Sequence, residues 1–411
     1  MRRVRATLVL AAAVMLLAAA CGGGEETGGG GGGASGGGSE GPTLARYDPN
    51  AQGEGALSLI AWPYYTEKGI VKPFEQETGC QVTVKYGNTS DQMVNLMRQQ
   101  GGTLYDGVSA SGDATLRLIA NGDVAPVDVE SFPEYANVMP SLQAPAHNTV
   151  DGVHYGVPYE WGPNVLMFNP DVVDPAPSSW DVVFEPDSPY AGKVTAYDSP
   201  IYIADAAMYL RAHQPDLGIT DPYELTQDQF DAAVELLKQQ SNLISKYWAL
   251  YTDEIDGFES GDMVAGTAWP VNQNLILSDG KVSVDSVTPS EGVTGWADTW
   301  MMSSNAQHPV CMLKWMEYTL RDEVQSFTAV AFGATPSVTT ACSQLQSDLA
   351  DAYGKDIADA IYPVYHCGED DYLKSIYLWK TPLPDCGDER GQTCVDYSTW
   401  TTAWTEIRGA G

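Results

Sequence analysis

Basic residues are scarce in this sequence. Among 411 residues there are 21 Lys and Arg against 54 Asp and Glu, which gives a formal net charge of −33. Nucleic-acid-binding surfaces need clusters of Lys and Arg, so nucleic acid is excluded as a partner. An acidic surface attracts cations and repels anions. Solubility, or life in salt, is the simplest explanation of the bulk charge, so the charge by itself assigns no ligand.

Long apolar runs are missing after the first twenty residues. Residues 8–20 form an apolar run of 13 behind Arg2, Arg3 and Arg5, which is too short to span a membrane and typical of a signal peptide. Small residues before Cys21 resemble a bacterial lipobox, in which the cysteine is lipidated; ordinary secretory cleavage is the alternative. We therefore expect an exported protein, either lipid-anchored to the outer face of the cytoplasmic membrane or periplasmic.

Metal-binding cysteine pairs of the CxxC type are also absent, and the five His are scattered. Without Cys21 the number of cysteines is even, which in an exported protein favours three disulfides, with a zinc site as the alternative. Cys386 and Cys394 enclose a short loop and are the best local pair. The six candidates are Cys80, Cys311, Cys342, Cys367, Cys386 and Cys394.

Strand and helix patterns alternate after a Gly-rich linker at residues 22–41. Strands are predicted at residues 56–62, 81–86 and 105–110, with helices around residues 70–78, 91–100 and 115–120. This order predicts an α/β fold with mostly parallel sheets, whose binding sites lie beyond the carboxyl ends of the strands. Trp62, Ser111 and Asp113 fall at such ends.

Several segments, in chain order, resemble the spermidine/putrescine-binding proteins of bacterial ABC importers. They are W-P-Y-Y from Trp62, E-T-G from Glu77, Y-D-G-V-S-A-S-G-D from Tyr105, V-P-Y-E-W-G from Val157, S-W from Ser179, A-G-K-V from Ala191, D-S-P from Asp198, G-T-A-W from Gly266 and G-W-A-D from Gly295.

The resemblance implies a type II periplasmic-binding-protein fold, in which two α/β lobes enclose a ligand cleft. The implied organisation is a signal peptide at 1–20, a lipidated Cys and linker at 21–54, lobe one at 55–161 plus 297–341, and lobe two at 162–296 plus 342–411. Each lobe then holds an even number of cysteines, which favours the pairs Cys80–Cys311, Cys342–Cys367 and Cys386–Cys394.

The same resemblance implies the ligand-binding residues. A polyamine needs aromatic walls for its methylenes, and carboxylates and ring faces for its ammonium groups. The matching positions are Trp62, Tyr65, Ser111, Asp198, Trp269, Trp296 and Asp298.

Some positions depart from the family pattern. Asp113 replaces an aromatic residue and could hold a further amine, whereas Ile201 replaces an acid. Gly333 or Ala334 replaces a Tyr before Thr335, and Lys380 stands where a Gln is expected. Thr335 and Lys380 are therefore additional candidates, and another amine or a zwitterionic solute remains an alternative ligand.

The implied function is capture of a cationic solute by a monomer that delivers it to an ABC permease, with no enzyme activity, cofactor or metal. No phosphate-binding loop of the G-x-x-x-x-G-K-[ST] type occurs, so the ATPase would be another chain. Three alternatives stay open: a glycosidase using Asp198 and Asp298, a ferric-ion binder using Tyr64 and Tyr65, and a sensory binding module.

Overall fold

The computed structural model describes residues 42–385 and 393–409. The predicted signal peptide, Cys21 and the Gly-rich residues 22–41 lie outside these ranges, as does Cys386. No helix among the described residues combines the length and the apolar character required to cross a membrane.

The first third of the fold follows the alternation predicted from the sequence. Its elements are β1 Ala56–Ala61, α1 Lys68–Thr78, β2 Gln81–Tyr86, α2 Ser90–Met97, β3 Gly107–Ser111 and α3 Gly112–Ala120. Helix α1 buries Ile70, Val71 and Phe74, and Gly79 caps its C-terminus. The φ angle of Gly79 is 75°, a left-handed conformation that suits a residue without Cβ at a helix C-terminus.

The remaining strands are β4 Thr149–Val150, β5 Val153–His154, β6 Val157–Pro163, β7 Val165–Phe168, β8 Val194–Tyr197, β9 Ile244–Trp248, β10 Ala265–Ala268, β11 Asp285–Val287, β12 Thr294–Met302, β13 Thr335–Pro336 and β14 Tyr377–Leu378. The remaining helices are α4 Pro140–Gln143, α5 Asp181–Phe184, α6 Ile203–His213, α7 Gln227–Gln240, α8 Tyr251–Ser260, α9 Pro270–Asp279, α10 Pro309–Thr319, α11 Asp322–Phe332, α12 Cys342–Tyr353, α13 Lys355–Ile361, α14 Asp370–Ser375 and α15 Tyr397–Gly409.

These strands form two larger sheets and the small hairpin β4–β5. The first sheet has the order β13-β6-β12-β3-β1-β2, with β14 beside β12, and the second has the order β11-β7-β10-β8-β9. Both sheets are mixed, whereas the sequence predicted mostly parallel ones. Strand β12 runs antiparallel to β3 and β6, and β7 runs antiparallel to β10 and β11, because the chain returns from one sheet to the other along these strands.

Two connections between the sheets run side by side. Asn164 joins β6 to β7, and residues 288–293 join β11 to β12. The backbone N–H of Asn164 donates to the carbonyl oxygen of Thr294 at 2.8 Å, so the two connections are hydrogen-bonded where the sheets meet. The lobe boundaries that the resemblance implies stay a prediction.

Two disulfides tie distant segments together. Cys80 is bonded to Cys311, with 5.9 Å between their Cα atoms, and Cys342 is bonded to Cys367, with 5.5 Å. Both are pairs expected from the resemblance. The Cys80–Cys311 bond closes the longer loop of the two, so it restricts the unfolded chain more. The Cys386–Cys394 pairing stays a prediction, because Cys386 lies outside the described residues.

Candidate functional site

A cavity of about 400 Å³ opens where the two sheets face each other. Strand ends supply much of its wall: Trp62 follows β1, Ser111 ends β3, Tyr197 ends β8 and Trp248 ends β9. This placement obeys the rule for α/β folds, because parallel strands bring their carboxyl ends to one edge. The predicted site residues on this wall are Trp62, Ser111, Asp113, Asp198, Trp269, Trp296 and Asp298.

Asp298 is the most strongly organised acid on the wall. Its side chain is 2% exposed; one carboxylate oxygen accepts a hydrogen bond from the Tyr65 hydroxyl at 2.6 Å, and the other accepts one from the Ser111 hydroxyl. Burial raises the pKa of Asp298 to about 7, and the charge of Asp113 adds to this effect, whereas the two hydrogen bonds oppose it. Near neutral pH, Asp298 therefore takes up either a proton or a cation with little cost.

The two adjacent tyrosines diverge from each other. Tyr65 is fully buried and packs edge-on against Tyr159, so it holds Asp298 from behind the wall. The hydroxyl of Tyr64 instead lies 2.5 Å from that of Tyr251, on α8. Tyr64 has a φ of 72°, which is strained for a residue with a Cβ. The two phenol groups thus have separate partners and do not form a shared ligand pair.

Two of the indole rings on the wall, those of Trp269 and Trp296, are held by their neighbours. Trp269 stacks edge-on against Trp248, with 4.7 Å between ring centroids, and its Nε1 donates to Oδ1 of Asn164 at 3.1 Å. Trp296 lies against Gly162, where a Cβ would come within 2.6 Å of the indole ring. These contacts restrict the movement of the Trp269 and Trp296 rings. The aromatic surface is therefore preorganised for a ligand.

Asp113 is a second buried acid on the wall. Its Oδ1 accepts a hydrogen bond from the Ser90 hydroxyl at 2.8 Å. Burial raises the pKa of Asp113 to about 6, although the nearby Arg117 charge opposes the shift. Arg117 itself is paired with Asp91 at 2.6 Å and lies over the ring of Tyr397.

The third acid, Asp198, already has partners within the chain. Its Oδ1 accepts a hydrogen bond from Nε1 of Trp404 at 2.8 Å, and its Oδ2 pairs with Arg408 at 2.7 Å. Both partners lie on α15 and line the cavity. Asp198 therefore anchors the C-terminal helix to the wall, and it has less capacity for a ligand ammonium than Asp298.

Comparison with known proteins identifies the family. Residues 69–356 match the family described as bacterial extracellular solute-binding protein. The chain belongs to this family. A spermidine/putrescine-binding periplasmic protein of Escherichia coli (strain K12) is 25% identical over 293 residues, covering 70% of this chain and 80% of the relative. A putrescine-binding periplasmic protein of Pseudomonas aeruginosa is 24% identical over 284 residues, covering 66% and 75%.

Solved structures share the fold of this solute-binding protein. A spermidine/putrescine ABC transporter substrate-binding protein from Streptococcus pneumoniae superposes with a TM-score of 0.66 at 16% identity, covering 86% of this chain and 99% of its own. A Treponema pallidum lipoprotein gives 0.62 at 18% identity, covering 86% and 98%. The resemblance seen in the motifs and the two-lobed α/β fold are thereby confirmed.

Three predicted residues of the solute-binding protein do not reach the cavity wall. Tyr65 acts through Asp298. Thr335 is buried and donates to the carbonyl oxygen of Tyr365 at 2.6 Å. Lys380 points elsewhere, because its Nζ pairs with Asp221 at 2.9 Å and with Glu224.

Other wall residues were not predicted. Tyr197 and Trp248 end parallel strands, so the rule that selected Trp62 could have selected them as well. Tyr251, Phe332, Trp404 and Arg408 lie on helices and enter the wall through tertiary packing. No local pattern in the sequence marks these four.

Proposed function

We propose that this protein captures a polyamine-like cation in the cavity and delivers it to an ABC importer. The observation that carries the proposal is the convergence of the Asp298 carboxyl with Trp62, Trp269 and Trp296 on one wall. A carboxylate binds an ammonium group, indole faces attract its charge, and the same rings cover the methylenes. The relatives from Escherichia coli and Pseudomonas aeruginosa, which are named as binders of spermidine and putrescine, support the same ligand class.

The charges on the wall favour an amine over a zwitterionic solute. A zwitterionic solute would need a cation on the wall to bind its carboxylate. Arg408 is such a cation, but it is already paired with Asp198. Asp298 has no basic partner among the described residues, since its hydrogen bonds come from Tyr65 and Ser111. The site therefore offers a carboxylate to the ligand more readily than it offers a positive charge.

Binding would close the two lobes over the solute by a hinge motion, without bond chemistry. The closed form would dock on a permease, and the ATPase would belong to other chains. The acid pair invoked for a glycosidase is disfavoured by the contacts of Asp198 with Trp404 and Arg408, and solute-binding proteins of this family act as transporter components rather than enzymes.

Calorimetric titration of the purified protein tests the proposal. We expect putrescine or spermidine to bind with measurable heat, and γ-aminobutyrate to bind more weakly because its carboxylate lacks a cationic partner. Absence of binding to putrescine, cadaverine, spermidine and spermine would refute the ligand class.

We also propose that Cys21 carries the lipid that tethers the protein to a membrane. Stable membrane anchoring requires more than one acyl chain, and a diacylated cysteine supplies at least two. Cys21→Ser should move the protein from the membrane fraction to the soluble fraction. Retention of this variant in the membrane fraction would count against lipidation.

A further inference from the structure

Glu160 is a buried acid that does not itself line the cavity but lies next to Asp298, which does. It lies on β6 and is 1% exposed. Within residues 42–385 and 393–409, neither of its carboxylate oxygens has a hydrogen-bond partner, and no Lys, Arg or His forms an ion pair with it. The titratable groups that face it are Asp298, Tyr65, Tyr159 and Tyr365.

The strand register places Glu160 next to Asp298. Gly162 lies opposite Trp296, Trp161 opposite Ala297, and Pro158 opposite Thr299. The register shifts between Ala297 and Thr299. At this bulge, two residues of β6, Tyr159 and Glu160, lie opposite the single residue Asp298 of β12. Residues two apart on a strand share a face, so Glu160 lies on the same face as Gly162, which is the face that carries Trp296.

An isolated carboxylate in this position is unfavourable. Removing an ionised carboxyl from water without a partner costs several kcal/mol, so the group keeps its proton instead. Burial, together with the charge of Asp298, raises the pKa of Glu160 well above its usual range. A positively charged group that enters this end of the cavity would provide the missing partner.

We propose that Glu160 is a second carboxylate for the ammonium group that Asp298 binds, so that a protonated amine is held between two acids. This inference rests on the proposed function. The half-buried ring of Phe332, on the wall beside Trp296 and Tyr65, borders this end of the cavity. The two acids would release protons as the amine binds.

The test compares Glu160→Gln with Glu254→Gln. Glu254 is also a fully buried glutamate and, like Glu160, it does not line the cavity. Among the described residues, one of its oxygens accepts from Asn272 and the other has no partner. Burial raises the pKa of Glu254, but the charge of Asp298 adds to such an effect only at Glu160. Putrescine and spermidine are titrated by calorimetry near pH 7 in two buffers of different ionisation enthalpy, which yields both the affinity and the number of protons released.

We expect Glu160→Gln to weaken amine binding by roughly 10- to 100-fold, the scale of a hydrogen bond to a charged group, and to release fewer protons. Glu254→Gln should keep the affinity and the proton release of the wild type. Equal affinity and equal proton release for Glu160→Gln and the wild type would overturn the inference. Equal losses in both variants would also overturn it, because they would show a general effect of altering a buried acid.

Failure of the wild type to bind any amine has a different meaning, since it removes the proposed function and this inference with it. Should Glu160→Gln not fold, Glu160→Asp keeps the carboxyl and shifts it by one methylene. Weaker binding with retained proton release is then expected, and wild-type affinity would overturn the inference.

Discussion

Asp298 shows how one residue combines positioning with charge. Tyr65 and Ser111 fix its two oxygens, and burial keeps its pKa near neutrality. We expect Asp298→Asn to weaken putrescine binding by about 1.5–3 kcal/mol, because a charge-assisted hydrogen bond is lost while the shape is kept. Calorimetry above pH 7 measures the change. Asp231→Asn, at an exposed position on α7, is the control, and an unchanged affinity for Asp298→Asn would exclude this residue from the site.

Lys380 illustrates a charged residue with a structural role. Its ammonium group is held by Asp221 and Glu224 rather than by the cavity. Lys380→Gln should leave amine affinity unchanged and lower the free energy of unfolding by about 1–3 kcal/mol, between the values for exposed and buried ion pairs. Urea denaturation measures the loss, and Lys374→Gln, with an exposed lysine, should lose less. A gain in spermidine affinity would show that Lys380 faces the ligand.

At the scale of elements, one hydrogen bond bridges the two sides of the cavity. Tyr64 lies just after β1 of the first sheet, and Tyr251 begins α8, which follows β9 of the second. Tyr251→Phe should weaken ligand binding by about 0.5–1.5 kcal/mol, since the closed arrangement loses a hydrogen bond, and stopped-flow release should be faster. Tyr353→Phe removes a hydroxyl that bonds to Val330 on α11, so it should alter stability only. Additive effects of Tyr64→Phe and Tyr251→Phe would show that the pair is not coupled.

The elements divide into those that the sequence specifies locally and those that it does not. Strand β2 was predicted with its observed bounds, and the helix predicted around residues 70–78 ends where α1 ends, at Thr78, because both depend on patterns within a few residues. The antiparallel course of β12 was missed, since it depends on how the chain returns between sheets. Asp298 could be assigned through a motif, whereas Arg408 reaches the wall from a helix that lies 110 residues further along the chain, and only the assembled fold reveals its partner Asp198.

At the scale of the whole molecule, several buried acids make stability depend on pH. Burial raises the pKa values of Asp205 and Asp298 to about 7 and that of Asp113 to about 6. Asp205 accepts hydrogen bonds from Tyr197 and Thr294, near the paired connections between the sheets. These acids bind protons more tightly in the folded state than in the unfolded state, so stability falls as pH rises from about 4 to about 7.

The ligand-free protein should therefore be less stable at about pH 8 than at about pH 5, by at least about 2 kcal/mol, given about 1.4 kcal/mol for each pKa unit. Below about pH 4 the trend reverses, because Glu77 and Asp370 have lowered pKa values from their partners Arg321 and Lys374. Urea denaturation across this range measures the slope. Asp205→Asn should flatten it, whereas Asp231→Asn should not. Saturating putrescine should also reduce the slope of stability against pH, because a bound ammonium favours the ionised form of Asp298. An equal slope with and without putrescine would mean that the amine does not contact this acid.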